Sequence, residues 1–119
     1  MRDYTKYHCP VEAALDVIGG KWKVLIIWQL RGGVLRFSEL KRQLPMVTPT
    51  MFTKQLRELE QDGIVIREVF PEVPVRVEYS LSETGMALTD VLDSLNLWGR
   101  FLMSRHGFEW NRPCEIPKK

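Results

Sequence analysis

Hydrophobic residues recur along the chain with two different periods, and the change of period divides the sequence into elements. An early helical stripe is formed by Val11, Ala14, Leu15 and Ile18. From residue 64 to residue 81 apolar and polar residues alternate, which is typical of strands, and the helical spacing then returns up to about Arg105. The pattern predicts four helices, a β-hairpin and a long last helix.

Glycines, prolines and capping residues indicate where these elements begin and end. The first helix stops at Gly19-Gly20, and a second runs from about Lys21 to Leu30. This second helix is apolar almost all round, so we expect it to be the central core helix. After a short strand at about 35–37, Ser38 is expected to cap a third helix, and Ser82 is expected to cap the long last helix.

The fourth helix has the clearest start of all. Thr48 is a good N-cap residue, Pro49 suits the first helical position, and Gly63 suits the turn after the helix ends at Asp62. Two helices joined by a tight turn and followed by a hairpin form a winged helix-turn-helix, whose second helix enters the major groove of DNA. The predicted fold class is therefore mainly α with a small β-hairpin, a winged helix-turn-helix.

The two sides of the fourth helix differ in chemistry. Phe52, Leu56 and Leu59 share one side, while threonine, lysine and arginine without acids share the other. Arginine binds guanine through two hydrogen bonds, and lysine and threonine bind phosphates or base edges. The DNA-binding residues predicted here and in the flanking elements are Ser38, Thr48, Pro49, Thr50, Thr53, Lys54, Arg57, Arg67 and Arg76. An ordinary amphipathic surface helix is the alternative.

Charge is distributed unevenly along the chain. Residues 21–57 hold eight basic residues and one acid, a net charge of +7, whereas the rest holds nine basic and fourteen acidic residues, a net charge of −5. Such a basic segment is expected to face a polyanion, although some of its charges could merely solvate helix surfaces.

The hairpin tip is the candidate wing. Arg67 and Arg76 lie near the base of this tip by this interpretation and would reach phosphates or a minor groove. The alternative is that both arginines pair across the strands with Glu68, Glu72 or Glu78.

The last helix carries more apolar surface than one small domain needs. We therefore predict that it forms a homodimer interface together with the aromatic-rich N-terminal segment. The interface residues predicted are Val11, Leu95, Trp98, Phe101 and Leu102. The alternative is that the last helix packs entirely on its own domain.

The 119 residues are enough for one domain, with an ordered core at about 8–106 and a tail at 107–119. The chain has no apolar stretch long enough to cross a membrane and no apolar core of a secretory signal, so we expect it in the cytoplasm without a membrane partner. Two distant cysteines, Cys9 and Cys114, do not indicate a structural disulfide.

Several motifs resemble those of HxlR-type transcription regulators, which are related to MarR-like proteins. The resemblance spans about residues 8–100 and rests on the runs at 9–13, 18–23, 36–40, 56–63, 76–81 and 97–99. It implies a dimeric winged helix-turn-helix regulator that represses or activates nearby genes, with dimer contacts from the first and last helices. In several members the cysteine matching Cys9 senses electrophiles or disulfide stress, often through a bond between subunits, which makes Cys9 a candidate redox sensor.

The residues around Cys9 leave its role open. The helix start and Lys6 favour the reactive thiolate, Glu12 and Asp16 oppose it, and a small buried thiol without a sensing role is the alternative. No catalytic motif, phosphate loop or zinc spacing occurs, so we expect neither an enzyme nor a metal or cofactor site, even with His8 and His106 near the cysteines. A winged-helix module that binds only proteins is the remaining alternative to a DNA-binding regulator, and an electrophile or small molecule is the effector class left open.

Overall fold

The computed structural model describes residues 2–110, which form five α-helices around a three-stranded antiparallel sheet. The elements are a 3-10 turn at Tyr4–Lys6, α1 at Pro10–Ile18, α2 at Lys21–Leu30, β1 at Leu35–Arg36, α3 at Phe37–Arg42, α4 at Pro49–Gln61, β2 at Val65–Phe70, β3 at Arg76–Leu81 and α5 at Glu83–Arg105. The predicted order and fold class are confirmed. Cys114 and the predicted tail beyond residue 110 lie outside the described residues.

Helix α2 is the centre of the core, as its all-round apolar sequence predicts. Ile26 and Ile27 are fully buried, and α2 contacts α3, α4, α5 and β3. From the other side α4 buries its apolar stripe of Phe52, Leu56 and Leu59. The opposite face of α4 is thereby turned outward on a rigid support.

The sheet has one strand more than the predicted hairpin. Its order is β1-β3-β2, because the short strand β1 pairs with β3. Tyr79 of β3 lies opposite Leu35 on one side and Arg67 on the other. Cross-strand neighbours point to the same face of a sheet, so Arg67 shares the core-facing side with buried Tyr79.

The prediction that Ser38 caps α3 is wrong. The helix begins at Phe37, and its N-cap is Arg36, which has extended backbone and donates its N–H to the Glu39 carboxylate over 2.8 Å. Ser38 is instead the second residue of the helix and is exposed. The cause is β1, which ends at Arg36, so that the chain turns directly from strand into helix.

The other predicted caps are present. Thr48 accepts a hydrogen bond from the Met51 N–H over 3.2 Å, and Gly63 has a φ of 75° just beyond α4, which ends at Gln61, one residue earlier than predicted. At the start of α5, Ser82 accepts a hydrogen bond from the Gly85 N–H.

Helix α5 is the longest element, with 23 residues. Beyond its end the chain folds back, since the Phe108 N–H donates to the Met103 carbonyl and Arg100 donates to the Trp110 carbonyl. The described part of the predicted tail is thus attached to the helix. Among residues 2–110, no helix combines the length and the hydropathy needed to cross a membrane.

Candidate nucleic-acid interface

The outward face of α4 is an open, shallow surface with a volume of about 670 Å³, which we call the groove along α4, and all the residues that line it belong to this helix. The residues that line it are Pro49, Thr50, Thr53, Lys54, Arg57, Glu58 and Gln61. Five of these seven were predicted to bind DNA, so the structure brings them together on one surface. Ser38 and Thr48 do not line this groove, and the Thr48 hydroxyl oxygen is engaged in capping α4.

Glu58 corrects the expectation that this face is free of acids. It lines the groove, but its carboxylate accepts a hydrogen bond from the Lys23 ammonium over 2.7 Å. This pairing lowers the pKa of Glu58. Lys23 itself is buried, so one of the eight basic residues between 21 and 57 neutralises a neighbouring acid instead of facing a ligand.

A second concave surface lies between α4 and the sheet, with a volume of about 570 Å³. Its lining residues are Phe37, Thr53, Leu56, Arg57, Glu60, Gln61, Arg67 and Tyr79. Burial raises the pKa of the Tyr79 phenol, and the Arg67 guanidinium beside it lowers that pKa to a lesser extent. Arg57 and Arg67 therefore stand on two walls of one cleft, and this places Arg67 beside the face of α4.

Arg76 is arranged differently from Arg67. Its guanidinium pairs with Glu72 over 3.0 Å and with Glu78 over 2.5 Å, and it stacks on the Phe70 ring at 3.8 Å. Arg76 therefore pairs with glutamates, as the alternative expected, but along β3 and with the hairpin tip and not across the strands. Arg76 lies opposite Phe70, where the strands meet the hairpin tip, whereas Arg67 lies further along the hairpin opposite Tyr79.

No ion pair involves Arg67 or Arg57 among residues 2–110. Both are exposed. Their charge is thus available to an external anion, which separates them from Arg76.

Cys9 is a free and exposed thiol at the N-cap of α1. The expectation of a buried thiol, which was one part of the alternative, is therefore wrong. The neighbouring His8 contacts Glu12 through its backbone N–H and through Nδ1. Within the described part of the chain, no group of histidines, cysteines and acids is placed to hold a metal ion.

A broad apolar face of α5 is open to solvent. The alternative that this helix packs entirely on its own domain is wrong, since Leu92 is its only buried large apolar residue. The five predicted interface residues are between 41% and 66% exposed, and they are Val11, Leu95, Trp98, Phe101 and Leu102.

One polar contact at the C-terminal end of α4 was not predicted. Arg2 binds both carboxylate oxygens of Asp62, over 3.2 and 2.8 Å, and also binds Asp16 of α1 over 2.7 Å. The Tyr7 hydroxyl donates to the same Asp16 carboxylate. Since Arg2 and Asp62 are 60 residues apart, no local pattern indicates their contact.

Comparison with known proteins gives consistent matches along most of the chain. Residues 17–107 match the HxlR-like helix-turn-helix family. The uncharacterized HTH-type transcriptional regulator YtcD of Bacillus subtilis is 54% identical over 94 residues, which cover 79% of this chain and 75% of that protein.

Two solved structures are similar in both fold and sequence. The redox regulator HypR in its oxidized form is 52% identical, with a TM-score of 0.73, over 76% of this chain and 94% of that chain. The reduced form of the transcriptional regulator YodB from B. subtilis is 42% identical, with a TM-score of 0.69, over 77% of this chain and 91% of that chain.

Proposed function

The chain belongs to the HxlR-like helix-turn-helix family, and on that premise we propose that it regulates transcription by binding double-stranded DNA as a homodimer on an inverted-repeat operator. Its family and its relatives are transcription regulators and not enzymes. The proposal includes a cytoplasmic location, because the DNA that such a regulator binds is there.

The observation that carries the proposal is the groove along α4. Thr50, Thr53, Lys54 and Arg57 line it, while the opposite side of the helix is fixed in the core. A recognition helix needs this combination, because base-reading side chains discriminate only when the helix that holds them is rigid. The positive end of α4 near Thr48 adds attraction for phosphate. Arg67, on the far wall of the adjoining cleft, would bind the DNA backbone beside the helix.

The apolar face of α5 supports the homodimer. Trp98 and Phe101 are 58% and 57% exposed, and contiguous aromatic surface of this kind is commonly covered by a partner. A second copy is the occupant that also explains an operator with two half-sites, since a two-fold dimer places two recognition helices roughly 34–36 Å apart.

Cys9 supports an oxidant-responsive regulator. Its thiol is exposed at the start of α1, on the same helix as the proposed interface residue Val11. Exposure is a requirement for reaction with an electrophile or an oxidant. The similarity to HypR, a redox regulator, points in the same direction. The effector proposed is an electrophile or a disulfide-forming oxidant.

The experiment is selection of bound duplexes from genomic DNA, followed by titration of the best duplex at increasing salt concentration. We expect the logarithm of the binding constant to fall linearly with the logarithm of salt, by about 0.9 for each phosphate contact. Lys54→Ala should reduce that slope if Lys54 binds a phosphate. If no duplex is enriched, the protein is instead a winged-helix module for protein contacts.

A further inference from the structure

Arg2 joins two helices that have different tasks in the proposed regulator. Its Nε and Nη2 bind the carboxylate of Asp62, the C-cap of α4, and its Nη1 binds Asp16 in the last turn of α1. The contact is partly shielded, since the side chains of Arg2 and Asp62 are only 22% and 11% exposed.

The C-terminal ends of α1 and α4 both favour a cation such as the Arg2 guanidinium. The C-terminal end of a helix carries partial negative charge, so an acid in that position is unfavourable and a cation is favourable. Helices α1 and α4 have no basic residue in their last turns, yet Asp16 and Asp62 lie at those ends. Arg2 supplies the missing positive charge to both, and pairing with Asp62 and Tyr7 raises the pKa of Arg2 further. The forked guanidinium suits this task, because a lysine ammonium cannot bind one carboxylate in parallel while it reaches a second.

Helix α1 has few other attachments. Val17 is its only buried residue, whereas Val11 and Leu15 are 66% and 63% exposed. In a homodimer formed by α1 and α5, the angle between α1 and α4 contributes to where the two recognition helices lie relative to each other. One base pair of spacing moves a half-site by about 3.4 Å and rotates it by about 35°. A change of that angle therefore alters which spacing both recognition helices can bind together.

We propose that Arg2 is a positioning residue that holds the recognition helix α4 at a fixed angle to the dimer helix α1, and so determines which half-site spacing the regulator prefers. This inference rests on the proposed function, namely DNA binding by a homodimer. Arg2 acts through Asp16 and Asp62 and not through contact with DNA.

The test uses the full chain and the inverted repeat that the wild type selects. The central spacer of this duplex is lengthened or shortened by one and two base pairs, and a duplex with a single half-site is included. The variants are Arg2→Gln, Arg2→Lys and Asp62→Asn. Lys6→Gln is the matched control, because Lys6 is an exposed cation of the same segment that acts on Asp16 through its charge alone and forms no ion pair with Asp16 or Asp62 among residues 2–110.

We expect the wild type to prefer its own spacing over the neighbouring ones by about tenfold. In Arg2→Gln and Asp62→Asn this preference should fall below about threefold, while affinity for the single half-site stays within about twofold. Arg2→Lys should be intermediate, and Lys6→Gln should match the wild type.

An unchanged spacing profile in Arg2→Gln and Asp62→Asn would overturn the inference, as would an equal loss of affinity on every duplex including the half-site. If Arg2→Gln does not fold, Asp62→Asn decides, because it breaks the same contact from the other side. A wild type that binds duplexes without any spacing preference overturns the inference alone. A wild type that binds no duplex overturns the proposed function itself.

Discussion

The ammonium of Lys23 in α2 lies 2.7 Å from the carboxylate of Glu58 in α4, and so joins the central core helix to the recognition helix. The Lys23 side chain is only 8% exposed. An ammonium removed from water needs a partner of opposite charge, and Glu58 provides it. The same contact neutralises Glu58, the acid on the face of α4 that is proposed to bind DNA.

Breaking this contact from the Glu58 side should destabilise the fold. We expect Glu58→Ala to lower the free energy of unfolding by about 1–3 kcal/mol, below the usual loss for a fully buried pair because Glu58 is partly exposed. Urea unfolding measures the difference. Glu60→Ala is the control, since Glu60 lies on the same helix and has no ion pair among residues 2–110. Its effect should stay within about 0.5 kcal/mol. Equal effects of the two substitutions would contradict the importance of the pair.

The lowered pKa of Glu58 also predicts a pH dependence. A carboxyl group whose pKa is lower in the folded state stabilises the fold above the pKa of the unfolded chain, and that stabilisation is lost as the pH falls through the folded value. The stability difference between wild type and Glu58→Gln should therefore be full above pH 4.5, the ordinary value, and shrink below it. Urea titrations at about pH 7 and about pH 3 measure it. A difference that does not change with pH would show that the charge of Glu58 is not involved.

Arg57 and Arg76 should differ in their effect on DNA binding. Arg57 lines the groove along α4, whereas Arg76 is paired with Glu72 and Glu78. Arg57→Ala should lose about 1–3 kcal/mol on the selected operator if Arg57 reads guanine, and less on unrelated DNA. Arg76→Ala should change both by less than about 0.5 kcal/mol. A uniform loss across all sequences would instead assign Arg57 to a phosphate contact.

The parts that the sequence predicts well are those determined by near neighbours along the chain. Thr48 with Pro49, Gly63 and Ser82 are local signals, and each of them marks a helix end in the structure. The outward face of α4 was predictable for the same reason, because the helical period alone separates Phe52 from Lys54.

The parts that were missed depend on pairing between distant residues. Ser38 is a good capping residue, but the pairing of β1 with β3 determines that α3 starts at Phe37. Likewise, the charges of Lys23 and Arg2 look like free surface charge until their partners in and just after α4 are known.

The exposed aromatic face of α5 predicts how the assembly can be broken. Trp98→Glu should raise the dimer dissociation constant by about thirtyfold, because a buried aromatic anchor commonly contributes about 2 kcal/mol or more. The affinity for the operator with two half-sites should fall as the dimer dissociates. Sedimentation velocity measures the dimer dissociation constant, and DNA titration measures the affinity for the operator. Val34→Glu is the matched control, since Val34 is 57% exposed but lies in the turn between α2 and β1. A Trp98→Glu protein that remains dimeric would exclude this face as the interface.

Oxidation should join two subunits through Cys9. Diamide converts two thiols into a disulfide, so the treated wild type should run as a dimer on non-reducing electrophoresis and change its affinity for the operator. Cys9→Ser should remain a monomer band with unchanged affinity after the same treatment, because the exposed thiol at the start of α1 is absent. Cys114→Ser identifies the second sulfur: a retained dimer means that two Cys9 thiols join, and a lost dimer means that Cys9 joins Cys114. A wild type that stays monomeric and binds the operator unchanged after diamide would remove the sensing role from Cys9.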